Sequence, residues 1–251
     1  MIVIPARYFS VRFPGKPLAM IAGKPMIEWV WRSAMCVSED VPVWVATEDE
    51  RIVKVVEGFG GKAVLTSAEH VSGTDRVLEA YEKVGEGREW VVNWQGDEPL
   101  FPAEPVGKVL RELEEQSEDV RVLSFSTPFV SKEEFCSQDA VKVIQDVRGD
   151  AIYFSRHEIP YSRQPLPEVG PDESVVQKHL GLYVYHRDVL QRWSGLSRSP
   201  LEEAESLEQL RLLAHGFKIR IKSIHYEGTG VDRPDQAEWV AEVLRSRGEK
   251  R

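Results

Sequence analysis

Short apolar, β-branched runs alternate with amphipathic segments along this chain, and that alternation limits the fold more than any other feature. Runs at Ile2–Pro5, Val43–Ala46, Trp90–Trp94 and Val122–Ser126 read as strands, with more at Val141–Gln145, Ala151–Ser155, Leu180–Tyr185 and Lys218–Ile221. Between them, Met26–Ala34 carries Ile27, Val30, Trp31 and Ala34 on one helical face, with Pro25 at its start. Further helices are expected at Glu50–Gly58, Thr74–Val84, Ala103–Gln116, Leu201–Gly216 and Pro234–Arg247. Strands followed by crossover helices make a parallel sheet, so the expected class is α/β, a doubly wound, mostly parallel sheet.

The middle of the chain departs from this rhythm. From Val120 to Tyr185 the strands crowd together without long helices, and Pro160, Pro165, Pro167 and Pro171 mark an exposed loop beside an antiparallel hairpin or small sheet. We expect one domain over residues 1–251, with about 120–190 forming a smaller lobe. Cys36 and Cys136 lack metal-ligand spacing and are expected as buried free thiols. The longest apolar runs fall far short of the roughly 20 residues that span a bilayer, and no secretory leader is expected at the start. A formal net charge of −9 argues against nucleic acid as a partner. A cytoplasmic protein is the expectation.

Charge is uneven, however. Residues 1–34 hold Arg7, Arg12, Lys16, Lys24 and Arg32 against the single acid Glu28. Arg7, Arg12 and Lys16 lie in the loop after the first strand, where an open α/β sheet places its ligand crevice. Two guanidinium groups suited to bidentate phosphate contacts, a mobile ammonium and the permissive Gly15 could wrap a triphosphate. None of the Gly-Lys pairs continues into Ser or Thr, so no Walker loop is present, and the dinucleotide fingerprint, metalloprotease and serine-elbow motifs are absent. Asp97, at the end of the Trp90–Trp94 strand, is placed either to hold a hard cation such as Mg²⁺ or to cap a helix. Asp232, just before the helix at Pro234, reads on its own as a cap.

In order along the chain, Ile4-Pro5-Ala6-Arg7-Tyr8, Arg12-Phe13-Pro14-Gly15-Lys16-Pro17-Leu18, Gly23-Lys24-Pro25-Met26-Ile27 and Ser72-Gly73-Thr74-Asp75-Arg76 are followed by Asn93 with Gln95-Gly96-Asp97-Glu98-Pro99. Tyr153-Phe154-Ser155-Arg156, Ile159-Pro160, Lys178-His179-Leu180-Gly181, Leu207-Glu208-Gln209-Leu210-Arg211 and Val231-Asp232-Arg233-Pro234 complete the set. This collinear set, from residue 2 to about 240, resembles the 3-deoxy-manno-octulosonate (Kdo) cytidylyltransferases, the CMP-Kdo synthetases.

The resemblance implies a nucleotide-diphospho-sugar transferase-like fold whose smaller lobe serves sugar binding and dimerisation. It also implies a Mg²⁺-dependent reaction of CTP with Kdo, giving CMP-Kdo and pyrophosphate for lipopolysaccharide assembly, in a cytoplasmic homodimer. By the same resemblance Lys16, Arg12, Asp97 and Asp232 are catalytic, and Asp97 and Asp232 hold the metal. Arg7, Arg12, Lys16, Ser72, Gly73, Thr74 and Arg76 bind the nucleotide, while Gln95, Arg163, His179, Tyr183, Glu208 and Gln209 face the sugar. Glu48 stands where Asp is more usual, and Trp94 where a smaller apolar residue is usual. Three other enzymes are weighed: a cytidylyltransferase for 8-amino-Kdo, a CMP-sialic acid synthetase, and a nucleotide-sugar glycosyltransferase using Glu48-Asp49-Glu50 as its metal triplet. A nucleotide-binding module without catalysis is the remaining alternative.

Overall fold

Ile2–Pro5 and Val43–Thr47 are apolar on both faces and almost wholly buried, as strands covered from two sides must be. The computed structural model describes residues 1–10, 12–115, 120–161, 163, 175–228, 230–246 and 248. It divides into two compact units, residues 1–117 with 228–251, and residues 118–227.

The first unit runs β1 (Ile2–Pro5), β2 (Met20–Ile21), β3 (Lys24–Pro25), α1 (Met26–Met35), β4 (Val43–Thr47), α2 (Glu50–Gly58), β5 (Lys62–Leu65), α3 (Gly73–Val84), β6 (Trp90–Asn93) and α4 (Ala103–Glu115). Within it β5, β4, β1 and β6 lie side by side in that order, all parallel. The chain steps outward from β1 to β4 and β5, then returns to set β6 on the far side of β1. Strand order therefore reverses between β1 and β6. In sheets of this kind ligands bind beyond the carboxyl ends of the strands at that reversal.

The second unit holds β7 (Val122–Thr127), α5 (Lys132–Cys136), β8 (Lys142–Gln145), β9 (Ala151–Ser155), β10 (Val176–His186), α6 (Arg187–Arg192), α7 (Pro200–Glu205), α8 (Gln209–Ala214) and β11 (Arg220–Ser223). β7 pairs with β11 in parallel and with β10 antiparallel, and β8 joins β10 to β9 by antiparallel pairings. The chain then returns to the first unit as α9 (Pro234–Ser246). The α/β class with a mostly parallel sheet is as expected. Of the Pro160–Pro171 loop, residues 162 and 164–171 lie outside the described residues.

The expectations for Leu201–Gly216 and for the cysteines are corrected, and one strand was not anticipated. The single helix over Leu201–Gly216 is two short ones, because Ser206 takes a left-handed φ of 52° and ends α7. Of the buried stripe expected there from Leu201, Ala204, Leu207, Leu210 and Leu213, Leu207 and Leu210 are buried, but Leu201 and Ala204 are exposed, and Glu202 and Arg211 are buried as an ion pair. Both cysteines are free but exposed, Cys36 at the end of α1 and Cys136 at the end of α5. Finally, β5 was not anticipated: its apolar run, Ala63-Val64-Leu65, is only three residues long, and those residues are half-buried or exposed. Among the described residues no helix is long and apolar enough to cross a membrane.

Candidate active site

The loop after β1 is anchored before it turns. Ala6 N–H donates to Ala46 O at 2.9 Å, continuing the β1–β4 ladder, and Tyr8 N–H donates to Glu48 Oε1 at 2.9 Å. Tyr8 O accepts from Gly15 N–H at 3.0 Å, so the loop closes on itself. Gly15 makes that closure with a φ of 70°, a conformation that favours glycine. A 3₁₀ turn over Lys16–Leu18 follows, with Pro17 in its first turn.

This delivers the Lys16 ammonium to a position 2.7 Å from Asp97 Oδ2 and 3.1 Å from Asp232 Oδ1. Arg12 Nη2 lies 2.9 Å from Asp232 Oδ2. Burial opposes the charge on Lys16, but the two carboxylates outweigh it and hold its pKa above the usual lysine value. Asp97 follows Gly96, where a Cβ would come within 2.6 Å of Pro5 O, so only glycine lets this turn pass over the end of β1. Val231 N–H then donates to Asp97 O at 2.8 Å, which brings the distant segment before α9 into register. Gln236 Oε1 accepts from the N–H groups of Asp232 and Arg233 at the start of α9. That capping job falls to Gln236, and the Asp232 carboxylate carries Lys16 and Arg12 instead.

A cavity of about 380 Å³ opens over this cluster. Its walls come from Pro5, Arg7, Ser10, Arg12 and Lys16 of the loop, from His70 to Gly73 and Arg76 at the opening of α3, and from Gln95, Gly96, Asp97 and Asp232. α3 starts with a reciprocal cap in which Ser72 Oγ accepts from Asp75 N–H and the Asp75 carboxylate accepts from Ser72 N–H. Ser72 and Gly73, at the positive end of this helix, line the cavity. Thr74 is fully buried and stands outside the cavity wall; it is reached from Gln95 through Asn93.

Arg76 is almost fully buried. It pairs with Glu48 Oε2 at 2.9 Å and donates to Thr66 Oγ1. Burial and the nearby cation Arg7 push its pKa down, with Glu48 opposing. His70 Nε2 bonds to Glu79, which also accepts from Ser67 N–H and pairs with Lys83. Burial alone would raise the Glu79 pKa, yet these partners lower it to about 2.

The remaining sugar-side candidates lie in the second unit. His179 and Tyr183 share one face of β10, with ring centroids 5.5 Å apart. Ser124 Oγ sits 2.8 Å from His179 Nε2 beside the bulge between Leu180 and Tyr183. Burial lowers the His179 pKa to about 3, so this ring is neutral near pH 7. Tyr183 is pushed well above the usual phenol value by burial, with Tyr185 and Glu208 adding to it. Glu208 is half-buried, Gln209 is buried on α8, and Arg163 is exposed.

Comparison with known proteins gives the family. Residues 1–221 match the family model described as cytidylyltransferase. The chain is 43% identical to a 3-deoxy-manno-octulosonate cytidylyltransferase of Escherichia coli, over 97% of this chain and 95% of that one. It is 44% identical to one from Myxococcus xanthus, over 98% and 96%. A solved CMP:2-keto-3-deoxy-manno-octonic acid synthetase complexed with CTP shares 42% of its residues over 98% of both chains, with a TM-score of 0.89. The chain belongs to the 3-deoxy-manno-octulosonate cytidylyltransferase family. At 13% identity and a TM-score of 0.62, a 4-diphosphocytidyl-2C-methyl-D-erythritol synthase from Anaerococcus prevotii shares the fold alone.

For a cytidylyltransferase the donor set suits Mg²⁺. Two carboxylates, Asp97 and Asp232, converge on one ammonium. Mg²⁺ is commonly held by one or two carboxylates with water and substrate phosphates. Among the described residues no group of three or more His, Cys, Asp or Glu side chains could hold a metal by itself. Sequence reasoning missed His70 and Val71, which lie beyond the carboxyl end of β5. Recognising β5 as a strand would have pointed to them, because loops at that edge line the crevice.

Proposed function

We propose that this chain transfers CMP from CTP to the anomeric hydroxyl of Kdo, releasing pyrophosphate for lipopolysaccharide assembly. One observation carries the proposal: Lys16, Arg12, Asp97 and Asp232 meet at the strand-order reversal of a chain similar over its full length to a CTP-bound synthetase. The sugar hydroxyl attacks the α-phosphorus and loses its proton. The new P–O bond forms as the bond to the β-phosphate breaks, and pyrophosphate departs with the electron pair. Such a transfer needs alignment and charge neutralisation more than a covalent catalyst.

Arg7, Arg12 and Lys16 hold the triphosphate, and Lys16, charged at neutral pH, faces the charge that builds on pyrophosphate. Among the residues lining the cavity, kinship with the family assigns Ser72, Gly73 and Arg76 to the nucleoside and Gln95 to the sugar. His179, Tyr183, Glu208, Gln209 and Arg163 belong to the sugar-binding group, with Arg163 suited to the Kdo carboxylate. Asp97 and Asp232 would hold Mg²⁺, which when bound neutralises phosphate charge and acidifies a coordinated hydroxyl. The homodimer and the cytoplasmic location rest on kinship with the family.

Pyrophosphate release from purified protein tests this. CTP and Mg²⁺ would be supplied with Kdo, 8-amino-Kdo or sialic acid, and UTP and ATP would replace CTP as controls. Release with CTP and Kdo is expected. Preference for the amino sugar would keep the chemistry and change the acceptor, and release with none would overturn the proposal.

A further inference from the structure

We infer that the turn after β4 clamps the phosphate loop through Tyr8, and that Arg51 is a positioning residue for the triphosphate. Arg51 sits at the start of α2, more than half exposed and outside the cavity wall. Its guanidinium is locked to Asp49 by a two-pronged fork, Nε to Oδ1 at 2.8 Å and Nη2 to Oδ2 at 2.5 Å. Asp49 is itself fixed, because its carboxylate caps α2 by accepting Arg51 N–H. The fork leaves the guanidinium carbon 3.5 Å from the centre of the Tyr8 ring. Tyr8 is thereby held at the ring by Arg51, at its N–H by Glu48 and at its C=O by Gly15.

Glu48 strengthens the arrangement, since its second oxygen pairs with Arg76 in the cavity wall. One turn thus ties the start of the phosphate loop to the helix that bounds the cavity. The physical need is clear. Arg7, Arg12 and Lys16 are like charges on one loop, offset only in part by Asp97 and Asp232, so the remaining repulsion opposes the closed shape that a triphosphate requires. Fixing Tyr8 in advance lowers the ordering cost of binding, and Arg51 contributes without touching the ligand. This inference rests on the loop being the triphosphate site, so the test must separate the two.

Steady-state kinetics on the full chain would compare Arg51→Met, Arg51→Lys, Tyr8→Leu and the Tyr8→Leu/Arg51→Met double variant, with Lys16→Ala as control. An exposed cation over an aromatic ring is a modest interaction, so Arg51→Met should raise the KM for CTP by roughly two- to fivefold. The KM for Kdo and the melting temperature should stay at parental values, which a merely structural role would not produce. Arg51→Lys should recover part of the loss, keeping a charge over the ring but not the fork. The double variant should be no worse than Tyr8→Leu, because both act through one contact. A parental CTP KM in Arg51→Met alongside an impaired Lys16→Ala would overturn the clamp alone. Unchanged kinetics in Lys16→Ala would overturn the loop assignment and the clamp with it.

Discussion

Lys16 is one ammonium shared by two carboxylates, and the sharing explains why all three groups matter at once. With an acidic partner on either side, it stays charged despite being mostly buried, and it keeps Asp97 and Asp232 from repelling each other. A triphosphate with its metal would exchange these partners, phosphate oxygens taking Lys16 and Arg12 while the carboxylates take the cation. Asp97→Asn should therefore fold normally, since this side chain is about one-third exposed, and lose turnover by roughly a hundredfold or more. Circular dichroism and pyrophosphate release at saturating Mg²⁺ would check both halves. Near-parental turnover would remove Asp97 from the metal site.

At the scale of elements, the break between α7 and α8 shows where a sequence pattern misleads. Leucines at Leu201, Leu207, Leu210 and Leu213 suggest one continuous buried stripe. Instead a left-handed Ser206 ends α7, and Arg211 of α8 forks onto Glu202 of α7 at 2.8 and 2.5 Å, with its guanidinium 4.2 Å from the Trp193 ring. Arg211→Met should cost about 3–5 kcal/mol in urea unfolding, because it leaves the Glu202 carboxylate buried without a counter-charge. Adding Glu202→Leu should recover much of that loss; a double variant as weak as the single would mean the charge is not what matters. The strands β1 and β9 and the helix α2 were legible to the residue, because their apolar spacing and boundaries all agree. β5 was not, since its apolar run of three residues, Ala63-Val64-Leu65, is too short to stand out from the sequence around it. In the site, the cationic loop could be read from its position after a strand. The meeting of Asp97 with Asp232 was implied by the resemblance alone and not by spacing, because it depends on the Val231 hydrogen bond and the close pass at Gly96. The Glu48–Arg76 pair could not be read, since it needs β4 and α3 packed together.

The molecule as a whole is an acidic chain presenting a cationic cavity to a polyanion. Its net charge of −9 would repel CTP at long range, while Arg7, Arg12, Lys16 and Arg76 line the cavity and, on the proposed function, would attract it there. Salt distinguishes the two effects. The Debye length is about 10 Å at 0.1 M ionic strength, so the diffuse repulsion is already weakened there, and added salt acts mostly on the attraction within the cavity. The KM for CTP should therefore rise several-fold between about 0.05 M and 0.3 M potassium chloride at fixed Mg²⁺. The KM for Kdo, whose charge is a single carboxylate, should move much less. Lys16→Ala should flatten the CTP dependence, having lost one of the charges that salt screens. A CTP KM that fell with salt would mean that the acidic surface governs the encounter, and that the cationic loop serves the bound triphosphate rather than its capture.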